Sequence, residues 1–127
     1  MKMRLLLLVA VSVMGLALTG CGTVCSGTSC SCASDQTCGF DTCNASTSSC
    51  NFACASGATC TGTCGANCSI SCAGKACTHT AGAGSNVTCT AGTCAITCEG
   101  ACNVLTSGGT MSLTCKGGTT QSVAGCS

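Results

Sequence analysis

Three segments, Cys50-Asn51-Phe52-Ala53-Cys54, Cys68-Ser69-Ile70-Ser71-Cys72 and Cys94-Ala95-Ile96-Thr97-Cys98, share the pattern C-x-[FI]-x-C. In an extended chain alternate residues point to one face. Each segment therefore gathers two cysteines and one large apolar side chain on one face and turns Asn, Ser, Thr or Ala to the other. The surrounding composition agrees with strand. Gly, Ser, Thr and Cys dominate, while the helix formers Leu, Glu, Lys and Arg are nearly absent after residue 20.

Outward from these segments the chain repeats itself. Cys32, Cys50 and Cys68 stand at equal intervals. Downstream the interval lengthens: the segment Cys68–Cys72 is matched by Cys94–Cys98, with Cys77 answering Cys102 and Cys89 answering Cys115, as if the later copies carried an insertion. Each later unit offers three short extended pieces punctuated by Gly, such as 68–72, 76–80 and 86–90. Fixed periods of this kind mark repeat architectures in which each unit buries its face on the next. The expected fold is all-β, small and disulfide-rich: a short parallel β-solenoid with 18- to 26-residue turns, three strands to a turn, and an irregular Cys-rich N-terminal cap.

Large apolar residues after residue 20 are too few for an ordinary core, so covalent closure must carry much of the stability. The chain of 127 residues holds 19 Cys and no Pro, Trp or Tyr. Cys at this density in a short exported chain indicates a disulfide scaffold. Within one strand Cys68 and Cys72 would stand about 13 Å apart, too far to bridge, whereas stacked turns lie about 4.8 Å apart, within bridging range. That favours pairing between equivalent cysteines of adjacent turns: Cys50 with Cys68, Cys72 with Cys98 and Cys89 with Cys115, with Cys54, Cys77, Cys94 and Cys102 as further members of the set. Spacing alone leaves the connectivity open. A thiolate metal cluster is the competing use, but it favours C-x-x-C and C-x-C spacing. The chain has no C-x-x-C and one C-x-C, at Cys30 and Cys32. No metal site and no cofactor are expected.

The N-terminus begins Met1-Lys2-Met3-Arg4, continues through an apolar run from Leu5 to Leu18, and ends Leu18-Thr19-Gly20-Cys21. The run is short for a membrane span and suits the apolar region of a secretory signal. With the four residues that close it, this segment resembles the lipobox of bacterial lipoproteins. The resemblance implies that residues 1–20 are a signal peptide removed on export and that Cys21 is the lipidated N-terminus. It implies a chain held in the bacterial cell envelope by its acyl groups, several of which are needed for stable anchoring. Gly22 in place of Asp favours the outer membrane over the inner where both exist. On this reading 21–49 form a lipidated Cys-rich cap or tether and 50–127 the repeat domain. Cys21 apart, the remaining cysteines are even in number, so all of them could pair.

After residue 20 the only formal charges are Asp35, Asp41, Lys75, Glu99 and Lys116. With no Arg and two Lys there is no surface that could displace counterions from nucleic acid. His79 is the only histidine and is expected on the surface of a polar strand. A nucleophilic Ser would need a base and an orienting acid drawn from His79, Asp35, Asp41 and Glu99. Nothing in their spacing assembles them, and no enzyme is expected. Asn44, Asn67 and Asn86 open Asn-x-Ser/Thr triplets of the kind that Ser- and Thr-rich composition produces by chance. Thr59-Cys60-Thr61 and Thr88-Cys89-Thr90 resemble the Thr-Cys-Thr strands of the insect antifreeze solenoids, and the resemblance implies ice binding. That family repeats the motif at short, regular intervals, whereas here it occurs only at 59–61 and 88–90.

The expected function is therefore that of a membrane-anchored, disulfide-stabilised structural or adhesive envelope lipoprotein. Its partners would be the membrane, through the N-terminal lipid, and an unspecified envelope or surface ligand. Thiol-rich metal binding or redox buffering is the alternative. Ice binding is the least favoured.

Overall fold

The computed structural model describes residues 23–40, 43 and 46–127. Met1 to Gly20 and the lipidation candidate Cys21 lie outside the described residues, as do Asp41 and Asn44. The described chain is all-β, a two-sheet β-solenoid of stacked parallel strands.

The strands are β1 (Thr23–Ser26), β2 (Ser29–Cys32), β3 (Thr37–Phe40), β4 (Asn51–Cys54), β5 (Thr59–Cys64), β6 (Ser69–Cys72), β7 (Ala76–Ala81), β8 (Ser85–Cys89), β9 (Thr93–Cys98), β10 (Cys102–Thr106), β11 (Thr110–Cys115), β12 (Gln121–Ser122) and β13 (Gly125–Cys126). They form an eight-stranded sheet in the order β1-β2-β4-β6-β8-β10-β13-β12 and a five-stranded sheet in the order β11-β9-β7-β5-β3. From β2 to β11 the strands alternate between the sheets, so each coil contributes one strand to each. Same-sheet neighbours pair parallel and in register, with Asn51 beside Ser69, Ser69 beside Asn86 and Asn86 beside Asn103.

This alternation corrects the longer of the two expected turns and the count of three strands per turn. The pieces at 68–72, 76–80 and 86–90 are indeed strands, but the third already belongs to the next coil. One coil carries the chain from Asn51 to Ser69, the next to Asn86 and the next to Asn103, while the other sheet steps from Thr59 to Ala76, Thr93 and Thr110. The interval from Cys68 to Cys94 is thus about one and a half coils. The segments at Cys68 and Cys94 match because both sheets bury the same alternating pattern. They lie on opposite sheets. The stack also begins before Cys50, since β2 pairs with β4 and β3 with β5. Antiparallel hairpins, β1–β2 at one end and β12–β13 at the other, close the eight-stranded sheet. Capping hides strand edges that would otherwise invite pairing with other chains.

Two columns of inward side chains fill the space between the sheets. One runs Cys30, Phe52, Ile70, Val87, Val104; the other runs Phe40, Gly62, His79, Ile96, Leu113. All are buried except Gly62 and Leu113, which are half-buried. Burying a Phe or Ile contributes roughly 1.5–3 kcal/mol. Gly62 leaves room where it stands: a Cβ there would come within 3.1 Å of both Phe40 Cβ and His79 Nδ1 and press on the two rings. The gap lets the Phe40, Phe52 and His79 rings gather, Phe40 and Phe52 with centroids 4.6 Å apart.

Disulfides close the corners of the coils. Cys32–Cys38, Cys54–Cys60 and Cys89–Cys94 join the end of one strand to the start of the next at one corner. Cys43–Cys50, Cys64–Cys68 and Cys98–Cys102 close successive corners along the other edge, Cys115–Cys126 ties the end of β11 to β13 of the last hairpin, and Cys25–Cys30 ties the first hairpin. The inter-turn pairs expected above, Cys50 with Cys68, Cys72 with Cys98 and Cys89 with Cys115, do not form. Cys72 and Cys98, like Cys89 and Cys115, lie on opposite sheets, and truly stacked cysteines such as Cys54 and Cys72 are register neighbours whose Cβ bonds run side by side rather than toward each other. Cysteines on either side of a tight corner converge instead: Cys54 and Cys60 have Cα atoms 6.2 Å apart, Cys98 and Cys102 likewise 6.2 Å.

One corner of the second edge has no cysteines to bridge it. Ala81 stands in register between Cys64 and Cys98, and Ser85 is in register with Cys102. Both are buried, and the Ser85 hydroxyl accepts a hydrogen bond from Cys68 N at 3.0 Å. The double substitution Ala81→Cys/Ser85→Cys should therefore form a further rung. A loop this short gains roughly 2 kcal/mol by the chain-entropy relation, against roughly 1–3 kcal/mol for leaving the buried Cys68 N–H without its partner. The two nearly cancel, so the rung should close with a change in melting temperature of less than about 8 °C, checked by mass and calorimetry.

Candidate functional site

The outward faces of the two sheets differ sharply. On the five-stranded sheet the outward positions read Thr37 and Gly39 on β3, Thr59, Thr61 and Thr63 on β5, and Ala76, Thr78 and Thr80 on β7. They continue with Thr93, Ala95 and Thr97 on β9, and Thr110, Ser112 and Thr114 on β11. The register aligns them into files. Thr63, Thr80, Thr97 and Thr114 form one unbroken file, Thr61, Thr78, Ala95 and Ser112 the central one, and Thr37, Thr59, Ala76, Thr93 and Thr110 the third. All are exposed or half-buried. On the eight-stranded sheet the outward positions of β2 to β10 are Ser29, Ser31, Asn51, Ala53, Ser69, Ser71, Asn86, Thr88, Asn103 and Leu105, with a single Thr among them.

Three properties make the threonine face a site. Among the described residues it carries no charge, since Asp35, Lys75, Glu99 and Lys116 all lie at corners, where Lys116 Nζ donates to Glu99 Oε1 at 3.2 Å. It carries no aromatic ring, since Phe40 and Phe52 are both buried. And it repeats. Threonine, β-branched and stiff at χ1, recurs about every 4.7–4.9 Å across the strands and about every 6.6 Å along them. Corner disulfides fix β5 and β9 at both ends and β3 and β11 at one, while β7 between them is held by its ladders to β5 and β9.

Sequence reasoning found part of this face and missed its order. Thr59-Cys60-Thr61 contributes Thr59 and Thr61, but Thr88-Cys89-Thr90 belongs to the opposite sheet. The legible signal was the evenly spaced series Thr63, Thr80, Thr97 and Thr114. Self-comparison of the cysteine segments passes over it.

A second grouping lies inside. Cys72, at the end of β6, and Cys77, on β7, are the two free cysteines among the described residues, both buried. They occupy the row of the bridged corners: Cys72 stands between Cys54 and Cys89, and Cys77 between Cys60 and Cys94. His79 is not on the surface as expected but in the core column, 2% exposed, and neither ring nitrogen has a hydrogen-bond partner. The three ligand atoms lie within 4.8 Å of one another. The Cys72 thiol, hydrogen-bonded to Cys77, holds Cys77 down to about 5 against its burial, with the His79 ring acting in the same direction. Cys72 itself is raised well above the ordinary thiol range by that hydrogen bond and then by burial. Cys98, Cys102 and Cys126 also cluster, but all three are in disulfides. Of the catalytic groups considered above, the described ones are not brought together: Asp35 is exposed at a turn, Glu99 faces Lys116 and His79 is in the core.

Compared with known proteins, the chain matches no family model, no curated protein and no solved structure.

Proposed function

We propose that the threonine face binds ice, and that the chain is an envelope-anchored adhesive protein whose ligand is crystalline water. The observation that carries this reading is the in-register, uncharged threonine array confined to one sheet. A surface that repeats in two directions is complementary to a ligand that repeats on the same scale. Hydrogen-bonded water oxygens lie about 2.7–2.8 Å apart, so second neighbours in a tetrahedral network lie on the order of 4.5 Å apart, close to the spacing of strands in a sheet. Each threonine offers a methyl group and a hydroxyl, which together hold water in place without a charge that would hydrate irregularly. Rigidity supports the reading further, because a preformed face loses little entropy on docking.

A crystalline polysaccharide also repeats, but its binders need exposed aromatic platforms, and both Phe side chains here are buried. The lipobox-like segment ending at Cys21 supports the anchoring half of the proposal. Acylated at Cys21, the protein would hold its cell to ice rather than act free in solution. The test is ice partitioning: native protein, fluorescently labelled at Lys75 or Lys116 away from the face, should be retained in a slowly growing ice hemisphere at micromolar concentration. Exclusion of the label into the liquid, as for serum albumin, would defeat the ice reading. Intact mass of the membrane-extracted protein tests the anchor separately, an unacylated Cys21 defeating it.

A further inference from the structure

The row of corner disulfides Cys32–Cys38, Cys54–Cys60 and Cys89–Cys94 has one member, Cys72 with Cys77, in which the sulfurs are not bonded to each other. It is also the one member of that row beside which the core column supplies a nitrogen donor: the residues two after Cys38, Cys60 and Cys94 are Phe40, Gly62 and Ile96, whereas the residue two after Cys77 is His79. We propose that Cys72 Sγ, Cys77 Sγ and a ring nitrogen of His79 form a buried three-coordinate site for a soft monovalent cation, copper(I).

Four observations carry this assignment. The donor set is two sulfurs and one imidazole nitrogen within 4.8 Å of one another, which suits soft ions and offers nothing to magnesium or calcium. No fourth ligand joins the group among the described residues, whereas structural zinc takes four. The His79 nitrogens are buried with no partner, a state that costs roughly 1–3 kcal/mol for each unpaired group and that coordination would relieve at one of them. Finally, the surroundings are apolar, with the Phe40 and Phe52 rings on one side. There copper(I) would offset one of the two thiolate charges. On binding, Cys72 and Cys77 would each release a proton to solvent and coordinate as thiolates.

The site shares no side chain with the threonine face, so it stands or falls independently of ice binding. To test it, the full-length chain is exported by its host, purified without reductant, and titrated anaerobically with copper(I) against a chromophoric copper(I) chelator. Two thiols should alkylate in the denatured metal-free protein, one copper should bind per chain, and X-ray absorption should show two sulfur neighbours and one nitrogen. The His79→Phe variant, whose ring fits the existing aromatic stack, should weaken binding at least about tenfold, as loss of a ligand exceeds the usual cost of disturbing a partner of one. Cys72→Ser/Cys77→Ser should abolish binding while circular dichroism stays unchanged. The proposal is overturned if no thiol alkylates because Cys72 and Cys77 have closed a ninth disulfide. It is equally overturned if either variant takes up copper as the native protein does, or if the absorption spectrum lacks the nitrogen.

Discussion

Replacing Thr78 by Tyr should reduce retention in ice to less than about a tenth of the native level while leaving the fold intact, the pattern of a residue at the centre of an interface. Thr78 stands in the central file on β7, with Thr61 on one side and Ala95 on the other. It is exposed, so the ring meets solvent rather than the core, and the change in stability should stay within about 0.5 kcal/mol. A phenol there projects beyond its threonine neighbours and holds the whole face away from a planar ligand. The effect spreads because the ligand is rigid: a crystal cannot close around a protrusion as a flexible partner would. Ser71→Tyr, at the outward position of β6 on the opposite sheet, is the matched control and should retain native behaviour. Equal loss in both variants would mean that retention reflects general surface properties. No loss in either would place ice contact elsewhere. Melting temperatures of all three proteins show whether the comparison is fair.

The architecture was legible because the C-x-[FI]-x-C segments allow only one arrangement of their side chains, alternating in and out of an extended chain. The pitch of the coil was not. A two-sheet solenoid imposes the same inward pattern on both faces, so Cys68-Ser69-Ile70-Ser71-Cys72 on β6 and Cys94-Ala95-Ile96-Thr97-Cys98 on β9 match as well as true neighbours do. Inward residues are a poor guide to pitch for that reason. Outward residues distinguish the faces, and the file Thr63, Thr80, Thr97, Thr114 carries the true pitch without ambiguity. His79 misled for a related reason. Its flanks Thr78 and Thr80 are polar because they face outward, which conceals that the residue between them must face in.

Disulfide pairing depends on pitch and on side-chain direction: the wrong pitch matches Cys72 with Cys98 and Cys89 with Cys115, which lie on opposite sheets, and direction excludes the cysteines that do stack. Register neighbours across a sheet are close enough to bridge but point in parallel, whereas the ends of successive strands turn toward each other at a corner. The consequence is a set of loops that do not overlap in sequence: 25–30, 32–38, 43–50, 54–60, 64–68, 89–94, 98–102 and 115–126. Loops that neither nest nor cross constrain the unfolded chain independently, which makes their effects additive.

That additivity leads to the second large effect: reduction of the disulfides should unfold the protein at room temperature. The chain-entropy relation assigns roughly 2 kcal/mol to each of these short loops, on the order of 15–20 kcal/mol for the eight together. A domain of this size has a net stability of about 5–15 kcal/mol. What remains after reduction is the backbone ladder and two thin columns of apolar side chains, one of them interrupted by Gly62 and His79. These join one coil to the next but do not hold the corners of any coil. Far-UV circular dichroism after reduction and alkylation should lose its strand signal, and a reduced chain that still melts cooperatively would show that the stack stands without its corners. Single rungs refine the test. Cys54→Ala/Cys60→Ala and Cys98→Ala/Cys102→Ala should each cost roughly 2 kcal/mol in denaturant unfolding. Combined they should cost the sum to within about 0.5 kcal/mol, because the two corners share no partner. A combined cost well above the sum would mean that the corners cooperate through the stack, each coil serving as the template on which the next one closes.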